Sequence, residues 1–202
     1  KKMTLDDVKA VLRNHYEGTS HDPYTNGLNG KEPWRPVSVF RTYEAHVMQV
    51  RPWLPKEIGE TTYIGLGMAD LTAFVPYYSG LKAYPANYTM GTDKADDQSI
   101  YWKYRKLQTL TMTDYPKLAP IVKKAYKAWE DKVAKEQKEV EAKYLKMAKT
   151  DKPAADKMLN DFNLRIMADA EKLTEDLTNQ LFTIRTKDIQ SDIFFANAAK
   201  KD

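Results

Sequence analysis

The sequence predicts an α+β fold, with strands and loops in the first half of the chain and helices in the second. Runs of β-branched and aromatic residues between positions 37 and 78 indicate strands. After Pro116, apolar residues recur three, four and seven positions apart, which indicates long amphipathic helices. A content of 42% hydrophobic and 30% charged residues is typical of a globular protein.

The chain opens with a helix signal. Thr4, followed three residues later by Asp7, is the pattern of a capping box, in which each side chain accepts a hydrogen bond from a free backbone N–H. Apolar residues from Leu5 onward recur at helical spacing, and Gly18 suits a left-handed helix end. The segment from Gly18 to Pro36 is rich in Gly, Asn, Asp and Pro, and predicts an ordered loop long enough to be functional.

Two extended regions follow. Val37–Val50 contains no Gly or Pro and predicts one long strand, which Pro52 and Pro55 end because proline cannot donate to a sheet. Thr61–Leu66 and Leu71–Tyr78 predict a second extended pair joined by a small turn.

The second half predicts a helical hairpin. Ser99 can cap a first helix, and a stripe of apolar residues predicts a second helix over Leu118–Lys149, on the order of 48 Å long. Thr150–Pro153 is a stop-and-restart signal, with Asp151 available as a cap, so two long helices should pack antiparallel. We therefore predict a sheet-containing part at 1–115 and a helical hairpin packed on it at 116–202.

Composition excludes several classes of function. The net charge of +4 reflects 32 basic and 28 acidic residues, which intermingle along the chain. The sequence has no Arg-rich stripe of the kind that would predict nucleic-acid binding. No apolar run approaches the ~20 residues of a membrane span. The absence of cysteine excludes thiol chemistry within this chain and fits the cytoplasm. The first residues carry no signal-peptide core, and the immediate helix start gives Lys1 the look of a cut into a longer sequence.

The three histidines suggest two kinds of site. His15, His21 and Asp22 could hold a metal ion, but their spacing matches no known ligand pattern, so we favour a helix cap and a loop hydrogen bond and predict no metal or cofactor. His46 lies inside the predicted long strand, where it shares one face with Thr42 and Glu44. Glu44 could orient its imidazole, but from spacing alone we favour a cross-strand hydrogen-bond ladder.

Aromatic residues are concentrated in one third of the chain. They predict core packing or the wall of a pocket for a partly polar ligand such as a peptide. They are Tyr77, Tyr78, Tyr84, Tyr88, Tyr101 and Trp102.

Four sequence blocks, in the expected order, resemble bacterial dipeptidases of the dipeptidase A type. They are HYEGT at His15–Thr19 followed by Asp22, RPVSVFRTYEAHVMQVRPWLP at Arg35–Pro55, VPYY at Val75–Tyr78 with Pro85 and Tyr88, and SIYW at Ser99–Trp102. The resemblance covers His15–Trp102, and the helical tail carries no diagnostic motif. One departure is Ala45, where the family pattern has a small hydroxyl residue.

The resemblance implies a fold and a mechanism. The family is similar to penicillin V acylase and bile salt hydrolase, whose αββα sandwich carries an N-terminal cysteine nucleophile that its own α-amino group activates. We therefore expect the chain to be the C-terminal part of a dipeptidase, inactive alone, with the nucleophile on a missing N-terminal portion. The expected substrate is a dipeptide, and the expected assembly is a homo-oligomer.

The resemblance also implies site residues. Arg41 is the first candidate for the arginine beside the nucleophile and Arg35 the second, because a guanidinium there would favour the thiolate or bind a substrate carboxylate. Thr42 and His46 are candidates for supporting the site. The alternative for Arg41 is a buried pair with an acidic neighbour.

Two other functions remain open at the level of sequence. The long hairpin and the missing nucleophile fit a non-catalytic binding or assembly module. A related hydrolase acting on a different amide, such as an acyl-amino acid, is the other alternative.

Overall fold

A computed structural model describes residues 2–25 and 34–198, and their side chains as far as residue 191. The described chain is α+β, as predicted, with a three-stranded antiparallel sheet and long C-terminal helices. The elements are α1 (Leu5–Arg13), β1 (Glu44–Val50), α2 (Lys56–Gly59), β2 (Glu60–Leu66), β3 (Val75–Tyr78), α3 (Ile100–Met112), α4 (Tyr115–Met147) and α5 (Lys152–Ala198). Short 3₁₀ turns lie at Ala69–Leu71 and Ala86–Tyr88.

The capping box of α1 is confirmed. The Thr4 hydroxyl accepts a hydrogen bond from the Asp7 N–H at 3.1 Å, and the Asp7 carboxylate accepts one from the Thr4 N–H at 2.8 Å. The helix ends earlier than predicted, at Arg13, because the next residue is already extended. Gly18 is left-handed (φ 73°), but it turns the following loop rather than the helix end, and Tyr16 is left-handed as well (φ 65°). Part of the predicted loop, residues 26–33, lies outside the described residues.

The sheet has the order β1-β2-β3, with antiparallel pairs throughout. Glu44 lies opposite Leu66 at one end of the first pair, and Val50 lies opposite Glu60 at the other. β1 is therefore an edge strand, and its outer edge has no strand partner within residues 2–25 and 34–198.

The predicted long strand over Val37–Val50 is wrong in its first half, because β1 starts only at Glu44. A strand needs a partner along its whole length, and β2 ends at Leu66, directly opposite Glu44. Gly67 (φ 75°) then turns the chain away, so residues 37–43 find no ladder to join. Residue type indicated an extended chain, but sheet pairing set where the strand begins.

The two faces of the sheet differ in what covers them. On one face, Tyr63 and Val47 pack with Phe74 and with apolar residues of α1. On the other face, Met48 and Val50 expose 71% and 67% of their surface. We call this second side, along β1 and β2, the open sheet face.

The helical half follows the prediction closely. α4 and α5 run antiparallel, since contacts join Lys117 to Asp188 at one end of the pair and Tyr144 to Asp156 at the other. Asp151 caps α5, because its carboxylate accepts the Ala154 N–H at 3.0 Å. α5 has 47 residues and is therefore about 70 Å long.

The main core lies where α3, α4 and α5 meet β3, and none of these helices is apolar all round. Ser99 occupies the N-cap position of α3 as predicted, but its side chain makes no capping hydrogen bond. Among the described residues, no helix is both long and apolar enough to cross a membrane.

Candidate functional site

Arg41 lies in a tight turn that leads into β1. The Thr42 N–H donates to the Val39 carbonyl at 3.0 Å, so Arg41 is the third residue of a four-residue turn, which we call the Arg41 turn (residues 39–42). Its side chain is exposed and has no ion-pair partner among the residues that the structure describes. Within the described residues, Arg41 thus makes no buried pair with an acidic neighbour, and its role in the whole enzyme stays a prediction.

A second arginine, from α3, forms hydrogen bonds with the backbone of the Arg41 turn. Arg105 is only 7% exposed, and its guanidinium donates to the Phe40 carbonyl and, at 2.7 Å, to the Thr42 carbonyl. The same guanidinium lies 4.8 Å from the centre of the Phe40 ring, and its Nη2 donates a hydrogen bond to the Tyr101 hydroxyl oxygen at 3.2 Å. Backbone and side chains thus fix the turn that presents Arg41.

The other predicted site residues occupy separate positions. Thr42 shares the turn with Arg41 and is half-buried, while Arg35 is exposed and uses its carbonyl to accept the Tyr16 hydroxyl at 3.3 Å. His46 is half-exposed on β1, and its Nδ1 lies 2.9 Å from a Glu44 carboxylate oxygen. The contact between Glu44 and His46 is confirmed, and it runs along the strand rather than across it. Thr42 does not share the strand face with them, since it precedes β1.

A buried polar cluster centres on His15, which is 1% exposed. Its Nδ1 lies 3.0 Å from Asp22 Oδ1, and its Nε2 lies 2.8 Å from the Tyr115 hydroxyl and 3.4 Å from Asp70 Oδ2. The Tyr115 hydroxyl donates to Asp70, and Lys123 Nζ lies 2.7 Å from the other Asp70 oxygen. We call these five residues the His15 network.

The charges of the His15 network support one another. Burial alone lowers the pKa of His15, but hydrogen bonds and attraction from Asp70 and Asp22 outweigh it, so the pKa is raised. Burial raises the pKa of Asp70, but His15 and Lys123 outweigh that effect, so the carboxyl pKa is lowered. The raised pKa of His15 thus favours its protonated form between two carboxylates.

The network also bears on the metal question. One ligand atom each from His15, Glu17 and Asp70 falls within 4.8 Å of the others. However, both ring nitrogens of His15 already have hydrogen-bond partners, and the Lys123 ammonium contacts Asp70 where a cation would bind. His21 instead stacks on the Trp34 indole at a centroid distance of 4.9 Å. The geometry favours the hydrogen-bond interpretation of His15 over a metal site.

The aromatic residues divide between the two predicted roles. Tyr77 and Tyr78 are buried and belong to the core. Tyr77 also lies beside the half-exposed Tyr84, at a centroid distance of 6.0 Å, and both line a cavity of about 340 Å³ on the open sheet face. Met48 of β1 and Ile64 of β2 line it as well.

Comparison with known proteins gives a consistent result. Residues 1–128 match the model of peptidase family C69. The chain is 53% identical over 93 residues to a "Probable dipeptidase" of Salmonella dublin, and this matched region covers 46% of the chain and 20% of that protein. It is 33% identical over 104 residues to "Probable dipeptidase B" of Lactococcus lactis, which covers 50% of the chain and 22% of that protein. A "Dipeptidase" of Bifidobacterium longum is 30% identical over 114 residues, covering 54% of the chain and 21% of that protein. The chain thus matches only about a fifth of the length of these relatives.

Proposed function

Because the chain belongs to peptidase family C69, we propose that it is the C-terminal part of a dipeptidase whose cysteine nucleophile lies on polypeptide outside this sequence. The observation that carries this proposal is the family match over residues 1–128, together with relatives that are named dipeptidases. The absence of cysteine from all 202 residues requires the nucleophile of such an enzyme to come from elsewhere.

The open sheet face supports the proposed fold. A monomeric protein rarely leaves large neighbouring apolar side chains exposed on a strand, yet Met48 and Val50 are mostly exposed and Ile64 is only partly buried. An unprotected strand edge beside them is also a surface that natural proteins normally cover. We propose that a second sheet, from the remaining part of the enzyme, packs here and completes an αββα sandwich. Sheets packed in this way lie ~10 Å apart.

The proposed chemistry gives Arg41 a charge-stabilising role. The N-terminal amino group takes the proton of the cysteine thiol, and the thiolate attacks the amide carbonyl of the dipeptide to form a tetrahedral oxyanion. An exposed guanidinium on a fixed turn can stabilise the thiolate or bind the dipeptide carboxylate bidentately. We propose Arg41 for this role, Arg35 as the second candidate, and Thr42 and His46 as supporting residues.

We further propose that residues 1–115 belong to the catalytic sandwich, while 116–202 form a hairpin packed on it. The alternative of an assembly module has one observation in its favour. Phe182 and Ile189 are seven residues apart on α5 and expose 65% and 51% of their surface. Residues at this spacing share a helix face, so they form an apolar surface suited to a subunit interface in a homo-oligomer. This role is compatible with the dipeptidase.

The test is dipeptide hydrolysis by the whole gene product. We expect turnover that is lost when its N-terminal cysteine is replaced by alanine. Arg41→Ala should lower kcat/KM by about 100-fold or more, because one fixed charge-stabilising donor is worth roughly that factor. Arg165→Ala is the matched control, since Arg165 is an exposed arginine on α5 whose partners are Glu136 and Asp169.

Two results would contradict the proposal in different ways. Failure of the whole protein to hydrolyse any dipeptide would remove the dipeptidase function and leave the assembly module. Normal kinetics in a folded Arg41→Ala protein would keep the function and remove Arg41 from the site.

A further inference from the structure

The Arg41 turn is stabilised in an unusual way. A strand would bond the carbonyls of Phe40 and Thr42 to a neighbouring strand, but β2 stops before it reaches them. The Arg105 guanidinium takes both carbonyls instead, at 2.7 Å for Thr42. The two carbonyls flank Arg41 on either side, so one side chain from α3 sets the backbone that presents it.

Arg105 is itself held rigidly. The Phe40 and Tyr101 ring centres lie 4.8 Å and 5.4 Å from its guanidinium carbon. The Tyr101 hydroxyl oxygen lies 3.3 Å from Nε and 3.2 Å from Nη2. A planar cation that contacts two rings and donates to a hydroxyl and two carbonyls has little freedom to leave the turn.

The charge of Arg105 is also notable. In the described part of the chain it has no carboxylate partner, although it is only 7% exposed, and its neighbours are two carbonyls, the Tyr101 hydroxyl and two aromatic rings. A buried cation without an anion is costly, because carbonyl dipoles offset only part of its lost hydration. Arg41 in the turn and Arg105 bonded to it together create a local positive potential that favours an anion.

We propose that Arg105 is the positioning residue of this site, which fixes the backbone on both sides of Arg41 and adds positive potential beneath it. The proposal rests on the proposed role of Arg41. Arg105 contacts neither substrate nor nucleophile in this role. Lysine cannot replace it fully, because one ammonium lacks the planar fork that reaches two carbonyls at once.

The first test measures the dynamics of the turn in the whole enzyme. Hydrogen exchange read by mass spectrometry should show faster exchange of the Thr42 amide and its neighbours in Arg105→Met, because the bond to the Val39 carbonyl loses its support. Lys106→Met is the matched control. Lys106 is the next residue on α3, and its ion pair is with the exposed Asp97. Unchanged exchange in the turn would overturn the proposal.

The second test uses the whole enzyme. Arg105→Met should lower kcat/KM by about 100-fold, because misplacing a catalytic group by about 1 Å can cost that factor. The double variant with Arg41→Ala should be no worse than either single variant, since both remove the same function. Millimolar guanidinium chloride should partly restore Arg105→Met but not Arg41→Ala. Arg105→Lys should be intermediate, and it serves as the readout if the methionine variant does not fold.

The outcomes distinguish the positioning role of Arg105 from the proposed role of Arg41. Losses that add fully in the double variant, with no rescue by guanidinium, would overturn the positioning role while Arg41 kept its own. Normal kinetics in Arg41→Ala, with a loosened turn in Arg105→Met, would instead refute the proposed role of Arg41.

Discussion

Replacing His15 with glutamine tests whether a buried imidazolium holds the loop after α1 to the body of the protein. Glutamine fills similar space, and its side-chain amide can still form hydrogen bonds, but it cannot carry a positive charge. In the native protein, the His15 ring nitrogens lie 3.0 Å from Asp22 Oδ1 and 3.4 Å from Asp70 Oδ2. The variant therefore leaves both carboxylates buried beside a neutral group. We expect the protein to remain folded with a lower free energy of unfolding.

The magnitude follows from what remains in the His15 network. Removing one partner of a buried ion pair costs about 3–5 kcal/mol. Here Asp70 keeps Lys123, and Asp22 keeps two hydrogen bonds from its own loop, one from the Tyr24 N–H at 2.9 Å. The loss should therefore lie at the lower end, about 3 kcal/mol.

The pH dependence gives the sharper measurement. The folded pKa of His15 is raised above its usual 6.5, so its stabilising charge is fully present below pH ~6.5 and is lost as pH rises through the folded value. Urea unfolding should thus show a larger difference between wild type and His15→Gln at pH 6 than at pH 9. His46→Gln is the control, since the exposed pair of His46 with Glu44 is worth only ~0–1 kcal/mol. An equal difference at both pH values would refute the imidazolium.

Two further predictions concern the sheet and the hairpin. Asn163→Ala should lower the free energy of unfolding by about 2–3 kcal/mol in urea titrations, because the buried amide accepts the Tyr78 N–H at 3.1 Å and donates to the Pro76 carbonyl at 2.7 Å. Stability within 0.5 kcal/mol of wild type, a limit about half of one net hydrogen bond, would contradict that role. Replacing Phe182 and Ile189 with lysine should reduce the mass measured by light scattering to that of a monomer, if the apolar face of α5 is the subunit interface. An unchanged oligomer would place the interface elsewhere.

The helical half of the fold was predictable because its signals are local. The capping box at Thr4, the restart at Asp151 and the apolar spacing from Leu118 each depend on residues within a few turns of one another. Strand boundaries depend on a partner that the residues themselves do not reveal. Val37–Val50 has the composition of one long strand, but its length is set by Leu66, sixteen positions beyond its end.

The candidate site was predictable only in part, for the same reason. Resemblance suggested Arg41 as a candidate, whereas nothing near it in sequence indicates Arg105, which is 63 positions from Thr42. His15 was recognised as a polar residue next to a helix end, but its partner Tyr115 is 100 positions away. Clusters of this kind arise from packing, and no spacing rule along one element reports them.

The turn conformation of residues 39–42 strengthens the case for Arg41 rather than weakening it. In a strand, the sheet would fix the backbone of Arg41. Packing another sheet on the open sheet face would then bury side chains next to it. In the turn, the backbone is fixed by its own hydrogen bond from Thr42 to Val39 and by Arg105, so the Arg41 side chain stays exposed while its attachment point is held. A charge-stabilising group needs this combination, because a mobile cation loses much of its effect to reorganisation and a buried one cannot reach the reacting atoms. The turn also lies immediately before β1, the edge strand of the open sheet face, where we propose that the cysteine-bearing part of the enzyme packs.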